Sequence, residues 1–264
     1  MRKVLVLTLC CMLIGVGNIY AALQVKHKWE LAGETYYHVY KEPDVMKNKG
    51  MMYGLTGSYS YHDNIMLKAE AREAYGEVEY KNSGTMDDVS DFCFELRGLG
   101  GYDFSLSDNF ILTPYFGVGY RYLNDDSSGK TTSTGAGGYE RESNYIYSPL
   151  GIEANINMER GWSIGASMEY DIFWRGKQIS HLEDANPAFG EVRNTQKKGY
   201  GLRGSIKLKK TMEKVDLCIE PFVRYWNIKK SNDSDVTYAG VIIGYGYEPK
   251  NNTTEYGLKV GVNF

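Results

Sequence analysis

From Trp162 to Arg175 the chain alternates strictly between two kinds of residue. Trp162, Ile164, Ala166, Met168, Tyr170, Ile172 and Trp174 fall on one register; Ser163, Gly165, Ser167, Glu169, Asp171, Phe173 and Arg175 fall on the other. Side chains of a β-strand point to opposite faces with period two. This segment is therefore a strand with one apolar face, ended by Trp at both limits, and one face that is mostly polar or small. The pattern returns at Phe92, Phe94, Leu96, Gly98, Tyr102 and Phe104, set against Cys93, Glu95, Arg97 and Asp103. In lipid every backbone N–H and C=O must be satisfied within the protein, so only helices and closed barrels span a bilayer. An apolar stripe with aromatic ends suits the outer wall of such a barrel, where aromatic girdles sit at the two interfaces. A soluble β-sandwich or lipocalin-like barrel would put the same stripe inside; the girdles and the Gly, Ser and balanced charges opposite them favour the membrane.

Applied to the whole chain, the alternation predicts an all-β, antiparallel up-and-down barrel of ten strands, with eight or twelve as the alternatives. The strands are read at 28–40, 50–62, 64–79, 90–105, 109–123, 144–157, 161–175, 198–209, 213–228 and 253–264. Tight polar turns at His62-Asp63-Asn64, Leu106-Ser107-Asp108, Glu159-Arg160-Gly161 and Lys210-Thr211-Met212 alternate with longer connections at 41–49, 80–89, 124–143, 176–197 and 229–252. Short periplasmic turns and long outer loops are the barrel rule, and both chain ends on one side require an even strand count. Pro114 and Pro221 lie within strands. Proline lacks a ladder donor, so a bulge or local irregularity is expected near each.

The first residues, Met-Arg-Lys followed by an apolar run from Val4 to Val16 and then Ala21-Ala22, read as a secretory signal peptide over 1–21. The barrel domain is then 22–264. The 23 Tyr and 30 Gly beside only 6 Pro, at a mean hydropathy of −0.43, fit a closed sheet with unlike faces. A formal net charge of −3 offers no basic patch for nucleic acid. Cys93 and Cys218, placed toward opposite ends of the barrel, are too far apart to be expected as a disulfide.

The chain's last strand, Tyr256, Leu258, Val260, Val262 and terminal Phe264, resembles the C-terminal strand of Gram-negative outer-membrane proteins. The stretch Thr113 to Tyr122 is similar to a strand of small outer-membrane barrels of the opacity and OmpA-like type. The resemblance implies bacterial outer-membrane location, contact with lipid and lipopolysaccharide, and recognition of the terminal strand by the barrel assembly machinery.

Inward positions carry a near balance of charge: Glu30, Glu34, Glu70, Glu95, Asp103, Glu153, Glu169, Asp171, Asp216 and Glu220 against Lys68, Arg72, Arg97, Arg121, Arg175, Arg203, Lys207, Arg224 and Lys259. Barrels of about eight strands are filled by side chains, whereas about 16 leave a channel. The expectation is a paired network in the lumen, centred on Glu95, Arg97, Arg121, Glu153, Glu169, Asp171, Arg203, Lys207, Glu220 and Arg224, with no catalytic, metal or cofactor site. Function then falls to the loops. Loops 124–143 and 229–252 are the candidates for a host or surface ligand, and 236–247 is apolar enough for a β-extension. The expected role is structural or adhesive. A narrow pore is one alternative. An omptin-like protease, pairing Asp87-Asp88 with His181 and Asp184, is another, although the spacing within each pair departs from that family's.

Overall fold

The computed structural model describes residues 26–264; the segment 1–21, expected as a signal peptide, lies outside the described residues. The strands are β1 (Lys26–Glu42), β2 (Met46–Asp63), β3 (Ile65–Asn82), β4 (Gly84–Tyr102), β5 (Phe104–Ser107), β6 (Phe110–Asp126), β7 (Glu140–Asn157), β8 (Trp162–Ser180), β9 (Val192–Gln196), β10 (Gly199–Thr211), β11 (Asp216–Ile228), β12 (Ser234–Tyr238), β13 (Val241–Gly246) and β14 (Asn251–Asn263). Ten strands form the wall, with β5 continuing β4 along β6. The pairing β8–β10 and the pairing β14–β1 close the ring. The backbone of Phe264 completes the seam by donating to and accepting from Trp29 at 2.9 and 2.8 Å. All pairings are antiparallel, and closure leaves no wall strand with an open edge.

The apolar register faces outward: Phe116, Val118, Met168 and Trp174 are among the most exposed residues. This is an outer surface made to meet hydrocarbon. Trp29, Tyr59, Tyr102, Phe104 and Trp162 cluster toward the short-turn end, with the rings of Trp29 and Tyr59 only 4.7 Å apart.

The strands run beyond the limits read from the pattern. Most of 41–49 and 80–89, expected as loops, is strand, turning at residues 43–45 and at Ser83. The reason is that above the bilayer the outer face meets water instead of lipid, while buried polar residues such as Asn48 and Gln178 line the inner face, so the apolar alternation fades while the backbone ladder continues. The Lys49–Glu79 ion pair, 2.8 Å across β2 and β3, joins the extended part of β2 to the last residue read in the β3 strand. Likewise β8 continues to Ser180 and β9 pairs back onto it, so 176–197 is half strand. The apolar stretch of loop 229–252 does form a hairpin, β12–β13.

Arg175 is not in the lumen, contrary to expectation. The β7–β8 register shifts between Ile146 and Tyr147, which pair with Arg175 and Phe173 and leave Trp174 as the extra residue. A bulge of this kind flips the alternation beyond it, so Arg175 is exposed and Gly176 turns inward. Near each proline the ladder shows the local irregularity expected, as missing rungs rather than a bulge. The β10–β11 ladder passes from Ser205↔Phe222 to Leu208↔Ile219 with unchanged register, skipping the pairs at Pro221. Pro114 falls opposite Tyr102, beside the break at Asp103 between β4 and β5. Each proline deletes a rung, as its missing N–H requires.

This topology predicts that an epitope tag at the exposed Gly135 is labelled on intact cells and one at Asp108 is not. Labelling only at Asp108 would invert the barrel.

Candidate functional site

Alternation sends one residue in two into the lumen, and these side chains meet as a single connected network. Glu95 accepts from Arg203 at 2.6 and 2.9 Å and faces Arg72 Nε at 3.6 Å. Arg203 Nε also reaches Asp171 at 2.8 Å and Glu169 at 3.2 Å. Arg97 joins Glu169 to Glu70. On the other wall Glu34 pairs with Arg224 at 2.7 Å. Glu255 gathers three guanidiniums: Arg121, Arg72 at 3.3 Å and Arg224 at 3.4 Å. Tyr147 and Tyr115 donate their hydroxyls to Glu95 and Glu169 at 2.7 and 2.9 Å. Every wall strand except β2 contributes a member. Aromatic rings fill the spaces between: Arg121 lies over Trp226 at 5.4 Å and Arg224 over Phe222 at 3.9 Å. Glycines make room for these rings. A Cβ at Gly119 would fall 2.2 Å from Tyr147 Cζ, and one at Gly151 2.3 Å from Tyr115 Cζ.

Toward the short-turn end the packing loosens into a cavity of about 140 Å³, whose lining includes Glu30, Lys68, Glu153, Lys207, Glu220 and Lys259. Lys207 bridges Glu30 at 2.8 Å and Glu220 at 3.2 Å, and Lys259 reaches Glu220 at 3.3 Å. Glu153 accepts from Asn155 at 2.7 Å. Thus Glu95, Arg97, Arg121, Glu169, Asp171, Arg203 and Arg224 lie in the central network, while Glu153, Lys207 and Glu220 line the cavity below it. Cys93 and Cys218 are buried and free. Tyr256, Leu258, Val260 and Phe264 face outward on the seam strand.

Sequence reasoning missed Glu255, the anion with the most partners, although it lies four residues before the inward Lys259 and so on the same face. His38, four residues after Glu34, was overlooked in the same way; it sits 3.8 Å from both Asp91 and Glu255. Arg141, Glu42 and Glu248 had no signal, because they lie in the extensions above the alternating zone.

Those last three form a latch across the barrel mouth. Arg141 bridges Glu42 and Glu248, and Tyr40 donates to both carboxylates at 2.8 and 3.0 Å. Ser231 and Glu248 exchange backbone and side-chain bonds at 3.0 and 2.8 Å, pinning the two ends of loop 229–250 together. Burial, against the opposing pull of Arg141, pushes the Glu248 carboxyl up from 4.5 to about 7. A raised carboxyl pKa contributes stability that is complete below about 4.5 and lost as pH rises through about 7. The temperature of heat modification should therefore fall between pH 6 and pH 8, and Glu248→Gln should flatten that difference. An unchanged difference in the variant would remove Glu248 as its source.

Among the described contacts, none joins Asp87-Asp88 to His181 or Asp184, the residues of the protease alternative. Asp87 and Asp88 present their backbone carbonyls to Lys130, and Asp184 accepts the backbone N–H of Glu140 at 3.0 Å. His181 instead lies among Glu142, Glu183 and Glu191 at 3.2, 3.3 and 3.9 Å. These contacts, with the surrounding carboxylates, raise the His181 pKa against the effect of its partial burial.

A closed ten-strand antiparallel wall, an apolar outer band and a polar filled lumen define a bacterial outer-membrane β-barrel protein. The chain belongs to the autotransporter beta-domain family, which matches residues 44–208, more than half of its length. No curated protein matches it. Among solved structures it is similar in fold to the outer membrane protease OmpT from Escherichia coli, with a TM-score of 0.65, 10% identity, and coverage of 91% of this chain and 97% of that one. It is more distantly similar to the translocator domain of autotransporter NalP from Neisseria meningitidis, with a TM-score of 0.41, 11% identity, and coverage of 90% and 88%. Ail, the attachment invasion locus protein of Yersinia pestis, gives 0.35, 10%, 90% and 98%.

Proposed function

We propose that this chain is a sealed, non-catalytic surface barrel, structural or adhesive in role, that holds its outer loops rigidly above the membrane. The observation that carries this reading is the central ion-pair network, which crosses the lumen and is packed with aromatic rings. A pore needs a continuous water path, and a threaded helix needs about 10 Å of clear diameter. The remaining cavity of about 140 Å³ offers neither beneath such a plug. Translocation of the kind named for NalP would require dismantling buried pairs, and so would solute conduction. Proteolysis of the kind named for OmpT is disfavoured by the separate engagement of Asp87-Asp88 and His181.

On this reading residues 1–21 are removed on export and 22–264 form one barrel domain, a small surface protein comparable to the opacity type. Lipid and lipopolysaccharide surround the wall, and a host or surface ligand meets loop 124–143 or the hairpin within 229–252. That hairpin leaves Val241, Ile242, Ile243 and Tyr245 exposed, the kind of apolar surface that marks an interaction site. Expression in a porin-deficient host should leave uptake of a small zwitterionic β-lactam at the level of the empty host. A several-fold rise would overturn the sealed reading in favour of the narrow pore.

The seam strand also bears an expected result. Tyr256, Leu258, Val260, Val262 and Phe264 form the segment proposed to be read by the barrel assembly machinery. Deleting Phe264 should lower the amount of heat-modifiable protein in the outer membrane several-fold without blocking secretion. Unchanged assembly would dismiss the terminal aromatic as a signal.

A further inference from the structure

We infer that His181, Glu183 and Glu191 form a binding site for a divalent transition-metal ion, with Zn²⁺ the ion best matched to the ligands. The three residues are brought together by the sheet. Ser180 at the end of β8 pairs with Val192 at the start of β9, which returns Glu191 to the side of His181 although ten residues separate them. Their ligand atoms already lie within 4.8 Å of one another. In a tetrahedral site, zinc bonds of about 2.0–2.2 Å to imidazole and carboxylate place ligand atoms about 3.3–3.6 Å apart, so closing on an ion needs the farthest pair to approach by up to about 1.5 Å.

Two observations separate this group from an ordinary acidic cluster. First, Glu142 contacts the other ring nitrogen, Nε2, at 3.2 Å, while Nδ1 faces Glu183 and Glu191. A carboxylate on the far side of a histidine ring fixes the orientation and tautomer of a metal-bound imidazole. Second, Oε2 of Glu183 is shielded from solvent yet has no hydrogen-bond partner. Arg193 takes Oε1 of Glu191 and leaves Oε2 toward His181. An imidazole with carboxylates suits zinc and its neighbours, whereas calcium takes six to eight oxygens.

A bound ion would stiffen more than its own loop. The segment between Glu183 and Glu191 carries the apolar hairpin: Ala239 donates to the Ala188 carbonyl at 2.6 Å, Gly190 donates to that of Thr237 at 3.1 Å, and Phe189 bridges to Tyr238. The metal thus ties the hairpin to the barrel rim.

The test is titration of tag-free, refolded full-length barrel in detergent with Zn²⁺, read by calorimetry and by protection of the 181–191 segment from protease. One Zn²⁺ per chain should bind, with protection rising in parallel, and tenfold excess Ca²⁺ should not displace it. His181→Ala and Glu183→Gln should each abolish saturable binding while heat modification stays normal. Glu142→Gln should weaken binding by about tenfold, and His27→Ala with His62→Ala should leave it unchanged. Absence of saturable binding to the folded wild type would overturn the site, as would binding that survives His181→Ala and Glu183→Gln.

Discussion

Glu255→Ala is expected to lower the stability of the folded barrel more than any other single carboxylate substitution in the lumen. Its carboxylate is 1% exposed and answers Arg72, Arg121 and Arg224 together. Glu34 and Glu95 remain near Arg72 and Arg224, but Arg121 has no other ion-pair partner among the described contacts. Removing one side of a buried pair costs about 3–5 kcal/mol, because the charge left behind can neither reach water nor pair. The variant should lose its folded, fast-migrating form at a clearly lower temperature and at lower urea. Glu255→Gln should fall between the two, since it keeps an acceptor without the charge. The control is Glu79→Ala, whose exposed pair with Lys49 is worth at most about 1 kcal/mol. A loss for Glu255→Ala no larger than this control would mean that water reaches the site.

Arg203→Ala is the complementary case. It strands Glu95, Glu169 and Asp171 at once and removes the guanidinium packed over Tyr147 and Trp226, at 5.5 and 5.6 Å. About 3–5 kcal/mol is again the expected loss. Adding Glu95→Gln should restore part of it, because one stranded charge is then gone. Losses that simply add in the double variant would show that the two side chains act independently, contrary to the contacts between them.

The fold was legible because a lipid-facing barrel repeats a two-residue code along each strand. The run Trp162 to Trp174 states that code clearly, and the strand count follows from the spacing of its copies and the short turns between them. Legibility ended where the physics behind the code ended. Above the membrane the outer face meets water and the inner face is polar too, so the extensions through Lys49, Lys81 and Ser180 carry no apolar alternation and were read as loops. At Trp174 a bulge moves Arg175 to the outside, and nothing in the residue types announces it. In the lumen, position along a strand identifies which charges face inward but not which carboxylate meets which guanidinium across the barrel. Glu95 and Arg203 are 108 residues apart, so their partnership depends on register around the whole ring. Glu255 was recoverable from Lys259 by counting in twos. The Arg141 latch was not, and the His181 group depends on the return of β9.

The central claim is that the lumen is closed by its own side chains. Purified protein reconstituted into planar bilayers measures this directly. The wild-type barrel is predicted to show no large, stable conductance, and Glu255→Ala or Arg203→Ala should add at most brief, irregular openings as the barrel loosens. Reproducible wild-type currents whose ion selectivity shifts with those two substitutions, at unchanged stability, would contradict the plug and make this protein a channel.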